Sequence, residues 1–321
     1  MQITKEQVKS WDACASGYRW FLERFPQGGA YADVHQALTK DKRFDDASWL
    51  VNQMYDTFLN EPGFVKAETD ATDLQVEYLN SMEHPTDQTE GEISSGDDAQ
   101  IGSSGYNAQI GSSGYNARIG SSGDGARIGS SGVRARIGSS GVRAQIGSSG
   151  DGAQIGSSGD GARIGSSGDG AQIGSSGVRA QIGSSGDGAQ IGSSGDGARI
   201  GSSGDGAQIG SSGDGARIGS SGDGARIGSS GVRAQIGSSG DGAQIGSSGD
   251  GARINATGEN AVVAAAGSVS RIVLGEGGCA AIPYNDGDRI RFAVAYVGEN
   301  GITANTPYYI NDEGQFVQIE E

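Results

Sequence analysis

The chain has 321 residues, of which 60 are glycine and only 34% are apolar, and it carries a net charge of −16 at pH 7. That much glycine with so few apolar side chains excludes two ordinary globular cores, the number its length would otherwise allow. The charge excludes a basic footprint for nucleic acid, because a negative molecule is repelled by a phosphate backbone.

The charge is unevenly placed. Residues 1–60 carry 8 acids and 7 bases, residues 61–98 carry 11 and 1, residues 99–254 carry 11 and 12, and residues 255–321 carry 9 and 3. The opening MQITKEQVKSWDACASG lacks a basic stretch followed by an apolar one, and no later run is apolar enough to span a bilayer. Two cysteines, Cys14 and Cys279, flank the whole repeat region, which argues against a disulfide framework. A soluble cytoplasmic protein with no direct nucleic-acid or membrane contact is expected.

Residues 1–60 read as a small helical bundle. Thr4-Lys5-Glu6-Gln7 is a capping-box pattern, and Val8, Trp11, Tyr18, Phe21, Leu22 and Phe25 follow at helical spacing until Pro26-Gln27-Gly28-Gly29 ends the run. A second helix is expected over Ala30–Leu38. A third starts near Asp45-Asp46, whose charges suit a helix N-terminus, and runs through Trp49, Leu50, Met54, Tyr55 and Phe58. The aromatic residues suit its core.

Residues 61–98 read as an acidic linker kept soluble by like charge. Its acids Glu61, Glu68, Asp70, Asp73 and Glu77 are candidates for approaching a basic partner.

From Ile101 to Ile254 an isoleucine recurs every nine residues, giving seventeen units of I-G-S-S-G-x-x-A-(Q/R). Alternation in Ala-(Gln/Arg)-Ile points Ala and Ile to one face and the polar residue to the other. Glycine at this density excludes helix, at about 1 kcal/mol per residue. The G-S-S-G-D-G segment supplies a corner. One unit cannot bury its own isoleucine, so coils must stack.

A closed coil needs at least two such units, which favours a flattened roll of 18 residues per coil over a three-sided prism of 27. Stacked at about 4.8 Å, an 18-residue coil makes a shaft about 40–50 Å long. Ile and Ala ladders are expected inside, with Ser, Asp, Arg and Gln ladders outside. The expected fold is therefore mainly β, a parallel β-solenoid over residues 99–275 with degenerate C-terminal coils.

The variable pair is Asp-Gly in eleven units, Val-Arg in four and Tyr-Asn in two. Tyr106 and Tyr115 are candidate partner contacts at these tips. A row of Asp would suggest nucleic-acid mimicry, but near-equal Arg neutralises the shaft unless the two lie on opposite sides. The unit departs from the calcium-binding nonapeptide, with Ser in place of the second glycine and Asp one place early.

After Ile254 the nine-residue step weakens towards Ile272. Residues 276–321 then read as an antiparallel cap with strands at 279–284, 289–298, 306–310 and 315–320, separated by Asn/Asp/Gly turns. Such a cap would cover the open end of the roll.

No chemistry stands out. His35 and His84 lack metal-ligand spacing, and the repeated G-S-S-G has no nearby base. The expectation is no enzyme, catalytic residue, cofactor or metal site.

The block SWDACASGYRWFLERFPQGGAYADV (10–34), with its Trp-x-x-Cys-x-x-Gly-Tyr-x-Trp-Phe pattern (11–21), resembles a helical module at the front of uncharacterised phage and prophage proteins, where tandem repeats of differing period follow. Residues 278–319 resemble the terminal β-module of several of them. The resemblance implies an accessory protein that binds and inhibits a host protein, possible partners being basic or nucleic-acid-binding proteins. A homo-oligomer formed through the end modules is a further expectation. The alternative is a structural shaft or adhesin-like spacer.

Overall fold

The computed structural model describes residues 1–59, 61, 63–80 and 93–320. Its centre is a parallel β-roll with 18 residues per coil: Ile155 pairs with Ile137 and Ile173, while Ile164 pairs with Ile146 and Ile182. Alternate nine-residue units therefore fall on two stacked sheets, one of 12 strands and one of 13 among the described residues. At about 4.8 Å per strand, the roll is roughly 50 Å long.

Each regular strand has the four residues (Gln/Arg)-Ile-Gly-Ser, as in Arg163–Ser166. Period two turns Ile and the first Ser inward and (Gln/Arg) and Gly outward. Alanine closes the interior beside the isoleucines, and both ladders are buried along the array. Backbone bonding continues round the corners: Arg163 N–H donates to Ala144 O at 2.8 Å and Ser167 N–H to Ser148 O at 3.0 Å. The inward serine corrects the expected outer Ser ladder. Ser148, Ser166 and Ser184 are fully buried, because the four-residue strand carries the inward phase one residue past glycine.

The described residues contain five helices: α1 (Lys5–Ser10), α2 (Ala15–Arg24), α3 (Tyr31–Lys40), α4 (Phe44–Phe58) and α5 (Phe64–Asn80). Thr4 and Gln7 form the expected capping box before α1, with Thr4 N–H donating to Gln7 Oε1 at 2.8 Å. The single first helix read from the sequence is broken in two. Asp12 turns the chain at φ +55°, and Cys14 Sγ then caps α2 by accepting from Gly17 N–H at 3.3 Å.

The acidic linker is corrected as well. Residues 64–80 form α5, whose Phe64, Ala67 and Ala71 are buried in the module core with Tyr31, Val34, Leu50, Met54 and Tyr55. His84 and the rest of 81–92 lie outside the described residues.

At the other end, the four cap strands are not one meander. Cys279–Asn285 stacks parallel on Val262–Ala265 and pairs antiparallel with Ile290–Tyr296, extending the 12-stranded sheet. Tyr308–Ile310 and Phe316–Gln318 extend the 13-stranded sheet instead, through Ile272 opposite Tyr308. Both sheets are already present in each coil, so the last strands continue each separately.

Candidate interaction surfaces

The two faces of the roll have the same repeat but different neighbours. The 13-stranded sheet is the seat of the helical module; the 12-stranded sheet is open. On the seat, outward glycines such as Gly147, Gly165 and Gly183 are buried, whereas Gly156, Gly174 and Gly192 on the open face are exposed. The reason is contact. A Cβ on Gly183 would lie only 2.8 Å from Thr72 Cβ, while one on Gly174 would meet nothing within 4 Å. The missing side chain lets α5 lie close against the sheet.

Arginines of the seat reach into the module. Arg163 Nη2 donates to Phe44 O at 3.0 Å and also to Ser48 Oγ. Arg127 lies 5.2 Å from the centre of the Phe44 ring, Arg199 lies 5.9 Å from that of Tyr55, and Arg217 pairs with Asp56. Ser185 Oγ donates to Asp73 Oδ1 at 2.7 Å.

Between these contacts sits a buried polar cluster. Tyr31 OH donates to Glu68 Oε2 at 2.6 Å. Removal from water pushes Glu68 up to about 7, with the Tyr31 bond and the Arg199 charge acting against that rise. Burial, with the Arg163 charge adding to it, lowers His35 to about 3, so the imidazole is neutral at ordinary pH. Desolvation also lowers Arg163 to about 10.

The sequence candidates are thereby separated. Glu68 and Asp73 face the chain's own roll and are not a free acidic patch. Asp70 is exposed and paired with Lys66 at 2.7 Å, Glu61 is exposed, and the Glu77 side chain lies outside the described residues. Tyr106 is 74% exposed and Tyr115 40%. Successive corners alternate between the two edges of the roll, so these tyrosines stand on opposite edges. Tyr115 OH accepts from Arg134 Nη1 at 2.9 Å.

The same alternation sorts the charges. One edge carries Asp151, Asp169, Asp187, Asp205, Asp223, Asp241 and Glu259 in succession, with no corner arginine among them. The other edge mixes Asp160, Asp196, Asp214 and Asp250 with Arg143, Arg179 and Arg233. The strand residues beside the acidic edge on the open face are Gln154, Gln172, Gln190, Gln208, Arg226 and Gln244, whereas Arg163, Arg199 and Arg217 flank the mixed edge.

Each aspartate from Asp151 to Asp241 on the acidic edge also joins coils. Asp187 Oδ1 accepts from Asp205 N–H at 2.9 Å, and the bond recurs from Asp205 to Asp223 and from Asp223 to Asp241. Among the described residues, no group of three or more His, Cys, Asp or Glu gathers in metal-ligating geometry.

A second feature was not singled out from the sequence: Ile290, Phe292, Val294 and Tyr296 are 63, 60, 53 and 52% exposed in one row. The signal was present in IRFAVAY, where large residues alternate with Ala293 and Ala295. A narrow interior takes the alanines and sends the bulk outward. The seat arginines had no such signal, because Arg and Gln occupy the same repeat position on both faces.

Residues 1–59 match the profile of the YdhT N-terminal domain, which spans α1 to α4. Over 50 residues the chain is 54% identical to the uncharacterized protein YdhT of Escherichia coli (strain K12), a stretch covering 16% of this chain and 18% of that protein. The chain thus matches less than a fifth of that relative's length. No solved structure matches. No helix among the described residues is long and apolar enough to cross a membrane.

Proposed function

We propose that this chain is a non-enzymatic binding protein whose roll presents its acidic edge to a basic surface of a protein partner. The observation that carries this reading is the unbroken run from Asp151 to Glu259 on one edge. Carboxylates one coil apart, at about 4.8 Å, make a rigid row of negative potential that steers a basic partner and weakens with salt. The partner is cytoplasmic and basic, a nucleic-acid-binding protein being the chemical type that fits. Resemblance of the N-terminal block to phage and prophage proteins supports a finer version, in which the chain occupies and inhibits a host protein.

The test uses the triple variant Asp187→Asn, Asp205→Asn and Asp223→Asn. Asparagine keeps an oxygen for the corner N–H, so the coils remain joined while three charges disappear. Wild type is expected to retain a defined basic protein from bacterial lysate at low salt and release it as salt rises, and the variant is expected to lose it. Equal retention by both would remove the acidic edge from the account.

A structural shaft is the second reading, favoured by the backbone ladder that runs through strands and corners alike. A calcium-bound roll fits less well, because the corner Asp Oδ1 already accepts the next coil's N–H.

A further inference from the structure

The buried cluster under the helical module has more hydrogen-bonding capacity than its own residues use. Tyr31 and His35 from α3, Glu68 from α5 and Arg163 from the roll line a cavity of about 40 Å³ between the module and the seat. His35 is only 6% exposed, and neither of its ring nitrogens has a protein hydrogen-bond partner among the described residues. Arg163 spends Nη2 on Phe44 O and Ser48 Oγ, while its Nη1, equally shielded from solvent, has no such partner. Buried donors in folded proteins are almost always paired. Two such residues on one cavity therefore point to a guest that accepts hydrogen bonds.

Charge selects the guest. Along the seat the outward row runs Gln145, Arg163, Gln181 and Arg199 in register, so the two guanidinium groups stand two coils apart. Both are desolvated, and among the described residues neither has a carboxylate within ion-pair distance; Asp45, Asp56 and Glu68 act on them from further off. Glu68 is raised to about 7, so half of it is uncharged at neutral pH. The wall is thus cationic and rich in donors. A water would satisfy the bonds and leave the charge, whereas a monovalent anion satisfies both. The cavity has room for one monatomic ion beside a water, or for about three waters.

We propose that this cavity binds a single chloride ion, held by Arg163 Nη1–H and the His35 ring N–H, as a counter-ion that fastens the helical module to the roll. The site belongs to the seat and not to the acidic edge, so it stands apart from the partner proposed above.

Binding is linked to a proton. Protonated Glu68 adds an O–H donor to the wall, whereas its carboxylate repels the ion. The titratable and charged groups around it are Tyr31 and His35 on α3, Tyr55 on α4, and Arg163 and Arg199 on the roll. Burial keeps both tyrosines and the imidazole neutral. Between about pH 6 and pH 8 the Glu68 carboxyl is therefore the group among these that changes charge. With its value at about 7, its protonated fraction falls about tenfold over that range, and chloride affinity falls with it.

Urea unfolding of the full chain, with chloride exchanged for gluconate at constant sodium, tests the site, since gluconate is too large for the cavity. Near pH 6 the wild-type midpoint is expected to rise with the logarithm of chloride once the site fills. Near pH 8 the rise is expected to begin at about tenfold higher chloride. Arg163→Gln installs the residue that Gln145 and Gln181 carry on the neighbouring coils, so the roll still stacks, and it is expected to abolish the chloride response. Glu68→Gln keeps an N–H donor at every pH and is expected to bring the two onsets together. Arg217→Gln removes a cation of the same seat that pairs with Asp56 outside the cavity, and it is expected to respond as wild type does. Equal midpoints in chloride and gluconate overturn the proposal and leave the cavity to water. A response that survives Arg163→Gln, or one lost equally in Arg217→Gln, marks general screening and overturns it as well. Onsets that still differ with pH in Glu68→Gln overturn the role given to Glu68.

Discussion

At the scale of single residues, the inward serine is the feature least suited to its surroundings. Ser148, Ser166 and Ser184 are buried with hydroxyls that have no protein hydrogen-bond partner among the described residues. Where the repeat decays, the equivalent positions are Ala256, opposite Ser238, and Ala265, opposite Ser247. Leaving a hydroxyl unsatisfied costs about 1–3 kcal/mol, so Ser166→Ala is expected to raise stability by about 1 kcal/mol, read as a higher denaturation midpoint in urea.

The cluster under the module gives a pH prediction with opposing signs. Glu68 is raised to about 7, so its contribution is fully present below its ordinary unfolded value and is lost as pH rises through 7. His35 is depressed to about 3, so its contribution is present above its ordinary value near 6.5 and is lost as pH falls towards 3. Between about pH 5 and 7 the two oppose each other in the wild type. Glu68→Gln is expected to leave a protein that loses stability on acidification from neutral pH, and His35→Gln one that loses stability as pH rises to 7. Thermal unfolding across that range measures both. A wild-type slope steeper than either variant's would contradict the assignment.

At the scale of the element, the unit of sequence and the unit of structure differ by a factor of two: the repeat is nine residues and the coil eighteen. Coils in a solenoid add almost independently, so removal of residues 240–257, one full coil, keeps every later strand on its own face. Removal of 240–248 transfers every later strand to the opposite face. The two cysteines report this, since Cys14 lies in the helical module and Cys279 on the open face near the end. With spin labels at both, the full-coil deletion is expected to move Cys279 about 4.8 Å along the roll. The half-coil deletion is expected to carry it to the module's side, across a sheet spacing of about 10 Å. Circular dichroism should be retained in both. Identical label distances in the two variants would mean that the faces are not set by parity.

This element was also the most legible in the sequence, for a physical reason. A buried isoleucine at a fixed step together with corner-forming glycine leaves a stacked coil as the way to bury the ladder, and closure in two strands sets eighteen residues. Helix α5 was not legible, because its acids pointed to a solvated linker. Phe64, Ala67 and Ala71, at the first, fourth and eighth positions of the helix, were the quieter signal of a buried stripe. Glu68 and Asp73 were read as candidates for a basic partner, whereas in the fold Glu68 accepts from Tyr31 and lies near Arg199, and Asp73 accepts from Ser185 of the same chain.

At the scale of the whole molecule, identical coils raise a difficulty that a varied sequence does not have. A strand of (Gln/Arg)-Ile-Gly-Ser fits any other equally well, so the roll can form with a coil skipped and the chain looped out, at little cost in local pairing. The helical module makes these mistakes unequal. Arg163, Arg199 and Arg217 stand at steps of two coils and then one, and Phe44, Ser48, Tyr55 and Asp56 meet them at fixed places on a single rigid helix. An assembly with one coil omitted between Arg163 and Arg199 would bring a guanidinium too early and leave Tyr55 and Asp56 facing the wrong rung. The module thereby acts as a ruler laid against an otherwise unmarked scale, rewarding the one arrangement in which each arginine meets its mark.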